Sequence, residues 1–522
     1  MFSSILNGAV TKAVIPGEWK TSRVVPLLKS GEPENWPKSF RPINLLCTPA
    51  KVLERCILAI INEHVHRIID ERQFGYRPLK GTEEHLATFV SAVHENTSQG
   101  KSTLAVSLDS SQAFDRVPHN TIRKCLLDAH IPGKITRILM ELVTNRRIRV
   151  IARRGDQAVL SKPVSLRTGV PQGSVTGPIL YILAANTLFS EIPPDVFIVV
   201  YADDMLLYCH GTDLSTMHGM LQNTLDRIHN WAVKEKHVFN GDKSRTCLYG
   251  PMACTEIPSL TLNGEIIPQE DSLRILGFTF DHVLHFDAHV DAVINTVKLK
   301  SRSLHHIRNA PQKLRTIVRN SLVVTPALYA LGIYGPFMKA SKKQELQVCL
   351  NDTERLATLP MSTRLEVLHL ECSTLTLERL ISNRSVALLA RMASSPYDLS
   401  RAAASYYEKI PRVAAAISDI GYTEMPHIQR SIDPAHNAWL THQWLRLSDR
   451  IRIQHDRTYT TDEDIMSDAQ SYDTLIFTDG SVEKDVRDTH GRASFAIVFY
   501  DNKYNQIRTK STTLPCLPDS YT

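Results

Sequence analysis

Apolar residues recur every three or four positions in several long stretches of the chain, which is the period of an amphipathic helix. This pattern predicts helices over residues 49–69, 81–96 and 215–233. It also dominates from residue 288 to about residue 412, without an internal repeat. Helices are therefore expected to form much of the chain.

Shorter apolar runs without this period predict three core strands. Residues 104–109 form the first run, which ends in the carboxylate of Asp109. Residues 196–201 and 205–209 form the second and third runs, and an acidic turn at residues 202–204 separates them. We therefore predict one strand that ends in an acid and a β-hairpin that carries two acids at its tip.

Three further runs predict strands outside this group. Residues 24–28 contain Pro26, which cannot donate a backbone hydrogen bond, so we predict an edge strand followed by a loop. Residues 475–479 and 493–500 predict two more strands. Together with the helices, these strands indicate the α+β fold class.

Length and composition narrow the class of protein. The 522 residues exceed the roughly 250–300 at which a single core stops growing, so we expect at least two folding units. With 43% hydrophobic and 22% charged residues, the composition is that of a globular protein rather than a disordered or fibrous one. Because no apolar run approaches the ~18 residues of a membrane span, we expect no membrane partner. Nine scattered cysteines without a C-x-x-C pair indicate reduced thiols and an intracellular location.

Positive charge is concentrated in one segment. The whole chain carries 60 Lys and Arg against 54 Asp and Glu, a formal net charge of +6. Residues 292–344 contain ten Lys and Arg and no acid, so the remainder of the chain has a net charge of −4. A groove that follows a phosphate backbone needs such a concentration. A solvated basic helix face is the competing interpretation, although such faces are usually interspersed with acids.

The predicted strands bring three carboxylates, Asp109, Asp203 and Asp204, towards one point. Two divalent ions about 4 Å apart can stabilise the attacking and leaving oxygens of a nucleotidyl transfer. Mg²⁺ suits this role because it prefers one or two carboxylates together with phosphate and water oxygens. Adjacent aspartates in a turn are usually structural, so this interpretation depends on the surrounding motifs.

The motif Tyr201-Ala202-Asp203-Asp204 resembles the Y-x-D-D box of reverse transcriptases, and other segments match further boxes of that family in order and spacing. These segments are residues 41–46, 74–77 with 81–82, 108–117, 169–174 with 177–178, Lys243, and 275–278. The A-F-D and R-P-I-N-L-L forms of two boxes look most like non-LTR retrotransposons of the jockey type. The resemblance covers roughly residues 15–285.

The resemblance implies that Asp109, Asp203 and Asp204 hold two Mg²⁺ ions, with Mn²⁺ as a substitute. Phe114 would lie beneath the sugar of the incoming nucleotide and collide with a 2′-hydroxyl, although a core phenylalanine would leave the same signal. Lys243 would protonate the departing pyrophosphate, unless it is a solvated surface lysine.

The same resemblance assigns three more residues to nucleotide binding. Arg41 would bind the triphosphate as a planar cationic fork, with a structural salt bridge as the alternative. Gln172 and Gly173 lie in a Pro-Gln-Gly turn that permits close backbone approach, and they would contact the nucleotide or the template.

The acid-free segment is similar in position to the thumb of reverse transcriptases, which grips the primer–template duplex. We therefore predict nucleic-acid contacts for five of its cations: Arg302, Arg308, Lys313, Arg315 and Arg319. A second basic cluster is expected either to contact template RNA or to be a solvent-exposed hairpin: Arg146, Arg147, Arg149, Arg153 and Arg154.

The segment Thr478-Asp479-Gly480-Ser481 looks like the start of a ribonuclease H domain, whose first metal-binding aspartate would be Asp479. The next acid of that family, a glutamate, would be expected soon after Thr522, so we expect an incomplete and inactive ribonuclease H part. No endonuclease domain of the kind found upstream in such elements precedes the first box. We therefore expect a fragment of a larger open reading frame or a decayed genomic copy.

The resemblance implies a right-hand polymerase of fingers, palm and thumb, followed by a helical connector and a truncated ribonuclease H-like α/β fold. The expected ranges are residues 1–285 for fingers and palm, 286–345 for the thumb, 346–470 for the connector and 471–522 for the last part. Its function would be RNA-directed DNA polymerisation from an RNA template, a DNA primer and deoxynucleoside triphosphates, in the nucleus and cytoplasm. A group II intron-type maturase and a catalytically dead relic that only binds nucleic acid are the alternatives. The oligomeric state is left open.

Overall fold

A computed structural model describes residues 2–418, apart from 30, 155–156, 359–361 and 373, together with residues 474–483, 492–501 and 506–515. The chain divides into two compact units between His442 and Gln443. In the described residues the helices are α1 (Phe2–Lys12), α2 (Thr48–Ile68), α3 (Thr82–Ser98), α4 (Ala113–Arg116), α5 (His119–Asp128), α6 (Gly133–Val143), α7 (Gly177–Ala185), α8 (Leu214–Glu235), α9 (Asp287–Ser301), α10 (Gln312–Arg319), α11 (Thr325–Leu328), α12 (Leu331–Tyr334), α13 (Ala340–Ala357), α14 (Leu365–Cys372), α15 (Leu377–Ala393), α16 (Asp398–Tyr407) and α17 (Pro411–Ser418).

The strands divide among several sheets. In the first unit they are β1 (Thr21–Leu28), β2 (Phe40–Leu45), β3 (Ser102–Ser110), β4 (Arg147–Arg154), β5 (Gln157–Leu160), β6 (Val164–Ser165), β7 (Phe197–Tyr201), β8 (Asp204–Gly211), β9 (Phe239–Tyr249), β10 (Leu260–Leu262), β11 (Glu265–Ile267), β12 (Ser272–Ile275) and β13 (Phe278–Asp281). The predicted helices 49–69, 81–96 and 215–233 are thus confirmed as α2, α3 and α8, and the three predicted core strands as β3, β7 and β8.

The palm sheet consists of four antiparallel strands in the order β7-β8-β3-β9. Alternate residues of β3 enter different cores, because successive side chains of a strand point to opposite faces. Ala105 lies in a core with α3, whereas Leu104 and Val106 lie in a core with α8. β3 is an inner strand of the sheet and packs against cores on both faces, so both cores support the strand that carries Asp109.

The fingers sheet has the order β2-β1-β4-β5, with β6 also paired to β4. The prediction of an edge strand at residues 24–28 is therefore wrong for the beginning of that run, because β1 lies between two strands. It is right for the remainder. The parallel pairing to β4 ends at Val24, so Pro26 pairs only with β2 and its missing N–H leaves no gap in the β1–β4 ladder.

The largest core is shared by the palm and by most of the helices from α9 to α17. It includes Phe89 of α3, Val290 of α9, Leu346 of α13 and Tyr407 of α16. Arg391 of α15 also pairs with two acids of α3, Glu83 at 2.5 Å and Glu84 at 2.6 Å. The predicted thumb and the described part of the predicted connector therefore pack as continuations of the palm core. Separate cores do not mark the predicted boundaries at residues 285 and 345.

No single helix in the part of the chain described above is long and apolar enough to cross a membrane. The segments Gln312–Leu328 and Leu331–Phe337 meet that criterion only as a pair bent by 44°. Residues of both segments are buried in the protein core: Val323, Ala327, Leu331 and Ile333.

The second unit contains three antiparallel strands, β14 (Thr474–Glu483), β15 (Arg492–Asp501) and β16 (Gln506–Pro515), in that order across the sheet. The two strands predicted from residues 475–479 and 493–500 are confirmed as β14 and β15. Asp479 lies in β14 opposite Ala496 in the register.

Candidate active site

The palm sheet brings the three predicted acids to one end. Antiparallel pairing of β3 with β8 places Leu108 opposite Met205. Asp109 and Asp204 each lie one residue beyond that pair, on adjacent strands. Asp203 lies in the two-residue turn that joins β7 to β8, since Tyr201 pairs with Asp204. The predicted convergence of the three carboxylates therefore follows from the strand register.

Two side-chain hydrogen bonds connect the acids to neighbouring elements. The Ser110 hydroxyl donates to the backbone oxygen of Asp203 at 3.1 Å, which ties the end of β3 to the turn. The backbone N–H of Asp109 donates to the Ser244 hydroxyl of β9 at 3.2 Å. At this point the β3–β9 register shifts between Ser107 and Asp109, a bulge that re-aims the chain at the sheet end.

The pKa values of the three carboxylates are raised, chiefly because the surrounding protein removes part of their hydration, although Asp204 keeps an exposed surface. Burial is the largest cause for each, and it raises the pKa of Asp109. The pKa of Asp203 is raised by burial and by the charge of Asp109. Burial, then the charges of Asp203 and Asp109, raise the pKa of Asp204 to about 6. A cluster in which like charges oppose one another in this way is stabilised by bound cations.

The donor set fits Mg²⁺, which takes one or two carboxylates and completes its shell with phosphate oxygens and water. In the described ranges, no group of three or more His, Cys, Asp or Glu side chains is placed so that it could hold a metal ion. A metal ion at these acids would therefore need substrate or water oxygens among its ligands.

Cations of the fingers and the palm face these acids. Arg41 of β2 lowers the pKa of Asp203, although burial outweighs it. Lys243 of β9, which is exposed, and Lys29 act in the same direction on Asp109. Lys29 follows β1, and its ammonium donates to the backbone oxygen of Lys38 at 2.8 Å. The sequence reasoning missed Lys29. A lysine directly after an apolar strand and before a Gly-Glu-Pro loop was the available signal.

Phe114 lies in an aromatic cluster beside the acids. Its ring stacks on Tyr181, with ring centroids 4.3 Å apart, and meets the ring of Tyr76 edge-on at 6.4 Å. Phe114 is half-buried against the core of α2 and α7. One part of its side chain therefore packs in the core, and another part remains accessible at the surface. Tyr76 is 46% exposed, and burial followed by the charge of Asp203 raises its pKa. Tyr76 therefore lies near both Phe114 and the acids.

The Pro-Gln-Gly turn packs against β2. The Gln172 side chain donates to the Asp115 carboxylate at 3.0 Å, and its backbone oxygen accepts from the Asn44 N–H at 2.9 Å. Gly173 has a φ of +108°, and a Cβ there would lie 2.6 Å from the backbone oxygen of Asn44. Glycine is thus required for both the backbone conformation and the close approach. The turn is further fixed by the buried Glu54, which accepts from the Ser174 hydroxyl at 2.8 Å.

The predicted thumb cations are not equivalent. Arg302, Arg308 and Lys313 are exposed, as a surface that binds phosphates requires. Arg315 is partly buried and donates to the backbone oxygens of Ala357 at 2.9 Å and of Arg308 at 2.7 Å.

The burial of Arg319 contradicts the prediction that this residue binds nucleic acid. It is only 7% exposed and forms a buried ion pair with Glu354 of α13 at 2.7 Å. Acids outside residues 292–344 also neutralise part of the positive charge of this segment, because Lys298 pairs with Glu345 and Lys339 pairs with Asp287. In the second basic cluster, Arg146 is likewise buried, at 1% exposure. Local charge in the sequence therefore overstates the free positive charge of the surface.

Several known proteins are similar to parts of this chain. Residues 27–280 match the family model described as reverse transcriptase (RNA-dependent DNA polymerase). The probable RNA-directed DNA polymerase from transposon BS of Drosophila melanogaster is 28% identical over 396 residues, which are 73% of this chain and 43% of that protein. The RNA-directed DNA polymerase from mobile element jockey of the same organism is 25% identical over 411 residues, covering 76% and 44%. Apo telomerase from Candida tropicalis superposes with a TM-score of 0.37 at 12% identity, covering 78% of this chain and 73% of that one.

Residues 27–280 thus form a reverse transcriptase domain, and the resemblance to jockey-like non-LTR retrotransposon polymerases is confirmed. Reverse transcriptases generally use divalent metal ions. The chain spans less than half the length of the curated relatives it matches, 43% and 44% for the two polymerases above.

The raised pKa of Asp204 predicts a pH-dependent stability difference in the metal-free protein. A carboxyl group whose pKa is higher in the folded state destabilises that state when charged, so the penalty is present above pH 6 and disappears as the pH falls towards 4. Asp204→Asn removes the penalty and should stabilise the chain in EDTA at pH 7.5 by about 1 kcal/mol, well below the full shift because Asp204 is exposed. Urea unfolding at pH 7.5 and pH 4 measures this difference.

Asp195→Asn is the control for this experiment, since Asp195 is exposed and precedes the opposite end of β7. Equal stability of Asp204→Asn and the unmodified chain at pH 7.5 would contradict the crowded-carboxylate interpretation.

The buried pair of Arg319 and Glu354 predicts a division of roles among the thumb cations. Arg319→Ala should destabilise the chain by about 3–5 kcal/mol, because it leaves Glu354 buried without its partner charge. Lys313→Ala should change stability by less than about 0.5 kcal/mol, because that side chain is exposed. Urea unfolding of both variants gives these values. Normal stability of Arg319→Ala together with weakened duplex binding would restore the original assignment of Arg319.

Proposed function

We propose that this chain is an RNA-directed DNA polymerase that extends a DNA primer on an RNA template with deoxynucleoside triphosphates. The observation that carries the proposal is the convergence of Asp109, Asp203 and Asp204 at one end of the palm sheet, faced by the fingers cations Lys29 and Arg41. The family match over residues 27–280 and the names of the relatives support it.

In this proposal Asp109, Asp203 and Asp204 hold two Mg²⁺ ions, and Mn²⁺ can replace them. The ions supply charge stabilisation for the attacking 3′-oxygen and the leaving pyrophosphate. The chain contributes the affinity and the geometry. Burial and mutual repulsion keep the carboxylates poised for cations, and the β3–β8 register sets their spacing before the ions bind.

Arg41 and Lys29 bind the triphosphate in this arrangement, because both cations act electrostatically on the acids and Arg41 is exposed. Lys243 is exposed on β9 near Asp109, where it can donate a proton to the departing pyrophosphate. Gly173 permits close backbone approach of the nucleotide or template, and Gln172 is held beside it by Asp115.

Phe114 selects the sugar by excluding a 2′-hydroxyl. Its ring is backed by Tyr181, which is 1% exposed, so the ring cannot retreat from an added oxygen. On the thumb, Arg302, Arg308 and Lys313 remain as exposed cations for the phosphates of the primer–template duplex.

The alternative of a catalytically dead relic is not favoured, because all three acids and the facing cations are present and converge. We also propose that β14 to β16 belong to a ribonuclease H-like fold whose first metal-binding aspartate is Asp479. The antiparallel pairing of β14 and β15 supports this proposal, and the lack of ribonuclease activity expected from the sequence stays a prediction.

Asp203→Asn should abolish primer extension while the chain remains folded. Replacing the carboxylate removes a metal ligand but keeps the size of the side chain and the hairpin shape. The assay is extension of oligo(dT) on poly(rA) with Mg²⁺, beside a circular dichroism spectrum of the same preparation. Asp195→Asn serves as the control and should extend normally. Extension by Asp203→Asn near the normal rate would exclude the proposed site.

Phe114→Ala should raise the ratio of ribonucleotide to deoxyribonucleotide incorporation by at least about tenfold, the equivalent of 1.4 kcal/mol of lost discrimination. The reason is that the ring that meets the 2′-hydroxyl is gone. Single-nucleotide incorporation with matched ribo- and deoxynucleotides measures the ratio. Phe197→Ala, which removes another partly exposed aromatic ring at the opposite end of β7, should leave it unchanged. An unchanged ratio in Phe114→Ala would make Phe114 a core residue only.

A further inference from the structure

A buried amide side chain lies directly beneath the turn that carries Asp203. Gln73 is 1% exposed and belongs to a segment that runs parallel to β7. Two backbone hydrogen bonds hold this segment in place. Phe74 N–H donates to the Val200 oxygen at 2.7 Å, and Val200 N–H donates to the Arg72 oxygen at 2.9 Å.

The Gln73 amide occupies both backbone polar groups of Ala202. Its Oε1 accepts from the Ala202 N–H at 2.9 Å, and its Nε2 donates to the Ala202 oxygen at 3.3 Å. The same Oε1 accepts from the Gly75 N–H at 2.8 Å. The two contacts with Ala202 connect positions that are 129 residues apart in the sequence.

Ala202 needs this support because its backbone is in the left-handed region, with a φ of +57°. That conformation costs a non-glycine residue roughly 1–2 kcal/mol. Gly75 is also part of the arrangement, since a Cβ at this position would lie 2.4 Å from the Ala202 nitrogen. Ala202 directly precedes the two acids, so its conformation decides where Asp203 and Asp204 lie.

We propose that Gln73 is a positioning residue of the active site. It holds Ala202 in the left-handed conformation and thereby fixes the two hairpin carboxylates before the metal ions bind. Gln73 contacts neither metal nor substrate. The proposal rests on the proposed function, because that function identifies the ligand as a pair of metal ions. It goes beyond that function by naming Gln73 as the residue that fixes the positions of the carboxylates.

A matched control exists in the same palm. Gln222 of α8 makes the same pair of bonds to Thr261, whose N–H it accepts at 2.9 Å and to whose oxygen it donates at 3.0 Å. Thr261 lies in β10 and precedes no acid of the site. Methionine has nearly the length of glutamine but cannot form these bonds, so Gln73→Met and Gln222→Met each remove a pair of bonds to one backbone residue. Gln222→Met also removes a bond to the Asp226 carboxylate at 2.9 Å.

The first measurement is independent of polymerisation. In the full chain, Gln73→Met should accelerate amide hydrogen exchange of residues 199–204 at least about tenfold. It should weaken Mn²⁺ binding, followed by electron paramagnetic resonance, by about 10- to 100-fold, as is typical when a group that orients metal ligands is lost. The rate constant of single-nucleotide extension at saturating nucleotide should fall by a similar factor, with unchanged affinity for the primer–template. Gln222→Met should alter none of these quantities.

A second substitution tests the stated cause. Glycine adopts the left-handed conformation without penalty, so Ala202→Gly should return most of the Mn²⁺ affinity to Gln73→Met. If Gln73→Met alone does not fold, Ala202→Gly is compared with the double variant that combines Ala202→Gly and Gln73→Met. These two variants should bind Mn²⁺ equally.

Two results would overturn the positioning role: Mn²⁺ binding by Gln73→Met equal to that by Gln222→Met, or a double variant that binds no better than Gln73→Met. Failure of the proposed function is distinguishable from this. In that case Asp203→Asn would bind Mn²⁺ as tightly as the unmodified chain. This variant tests whether Asp203 is a metal ligand, whereas Gln73→Met tests how Asp203 is positioned.

Discussion

The rest of the structure depends on keeping three carboxylates together at the end of one sheet. Asp109, Asp203 and Asp204 repel one another and lose hydration there, which is why their pKa values are raised. A flexible chain would separate them. They stay together because β3 is central in the palm sheet and buried on both faces, by α3 on one side and α8 on the other. The cores on the two faces of β3 therefore provide the free energy that offsets this repulsion.

Much of this arrangement was predictable because its signals are local. The period of α2, α3 and α8 and the apolar runs of β3, β7 and β8 appear within single windows of sequence, and each element was confirmed. The acids follow directly from those strands. The supports of the site were not predictable, because Gln73 acts on Ala202 across 129 residues and Lys29 acts on Asp109 from 80 positions earlier in the chain. Nothing in a local window shows which backbone a buried amide will reach.

The thumb shows the same limit for charge. Residues 292–344 contain no acid, yet the fold places Glu345, Glu354 and Asp287 against its cations. Arg319 is buried as a result, and its segment packs into the palm core rather than forming an independent basic surface. The local sequence therefore does not show how many of these positive charges are neutralised, because the acids that pair with them lie outside the segment. Arg302, Arg308 and Lys313 are the predicted cations that stay exposed.

Backbone strain at the site comes from three separate parts of the chain. Tyr76, Gln112 and Ala202 are non-glycine residues with φ values of +57°, +54° and +57°, and each costs about 1–2 kcal/mol. Tyr76 meets Phe114, Gln112 begins the helix that carries Phe114, and Ala202 precedes the acids. Such residues persist only where surrounding structure over-determines them. At these three positions the fold therefore determines the backbone that carries Phe114 and the acids. If Phe114 selects the sugar as proposed, that selection would depend on backbone geometry that the fold itself sets.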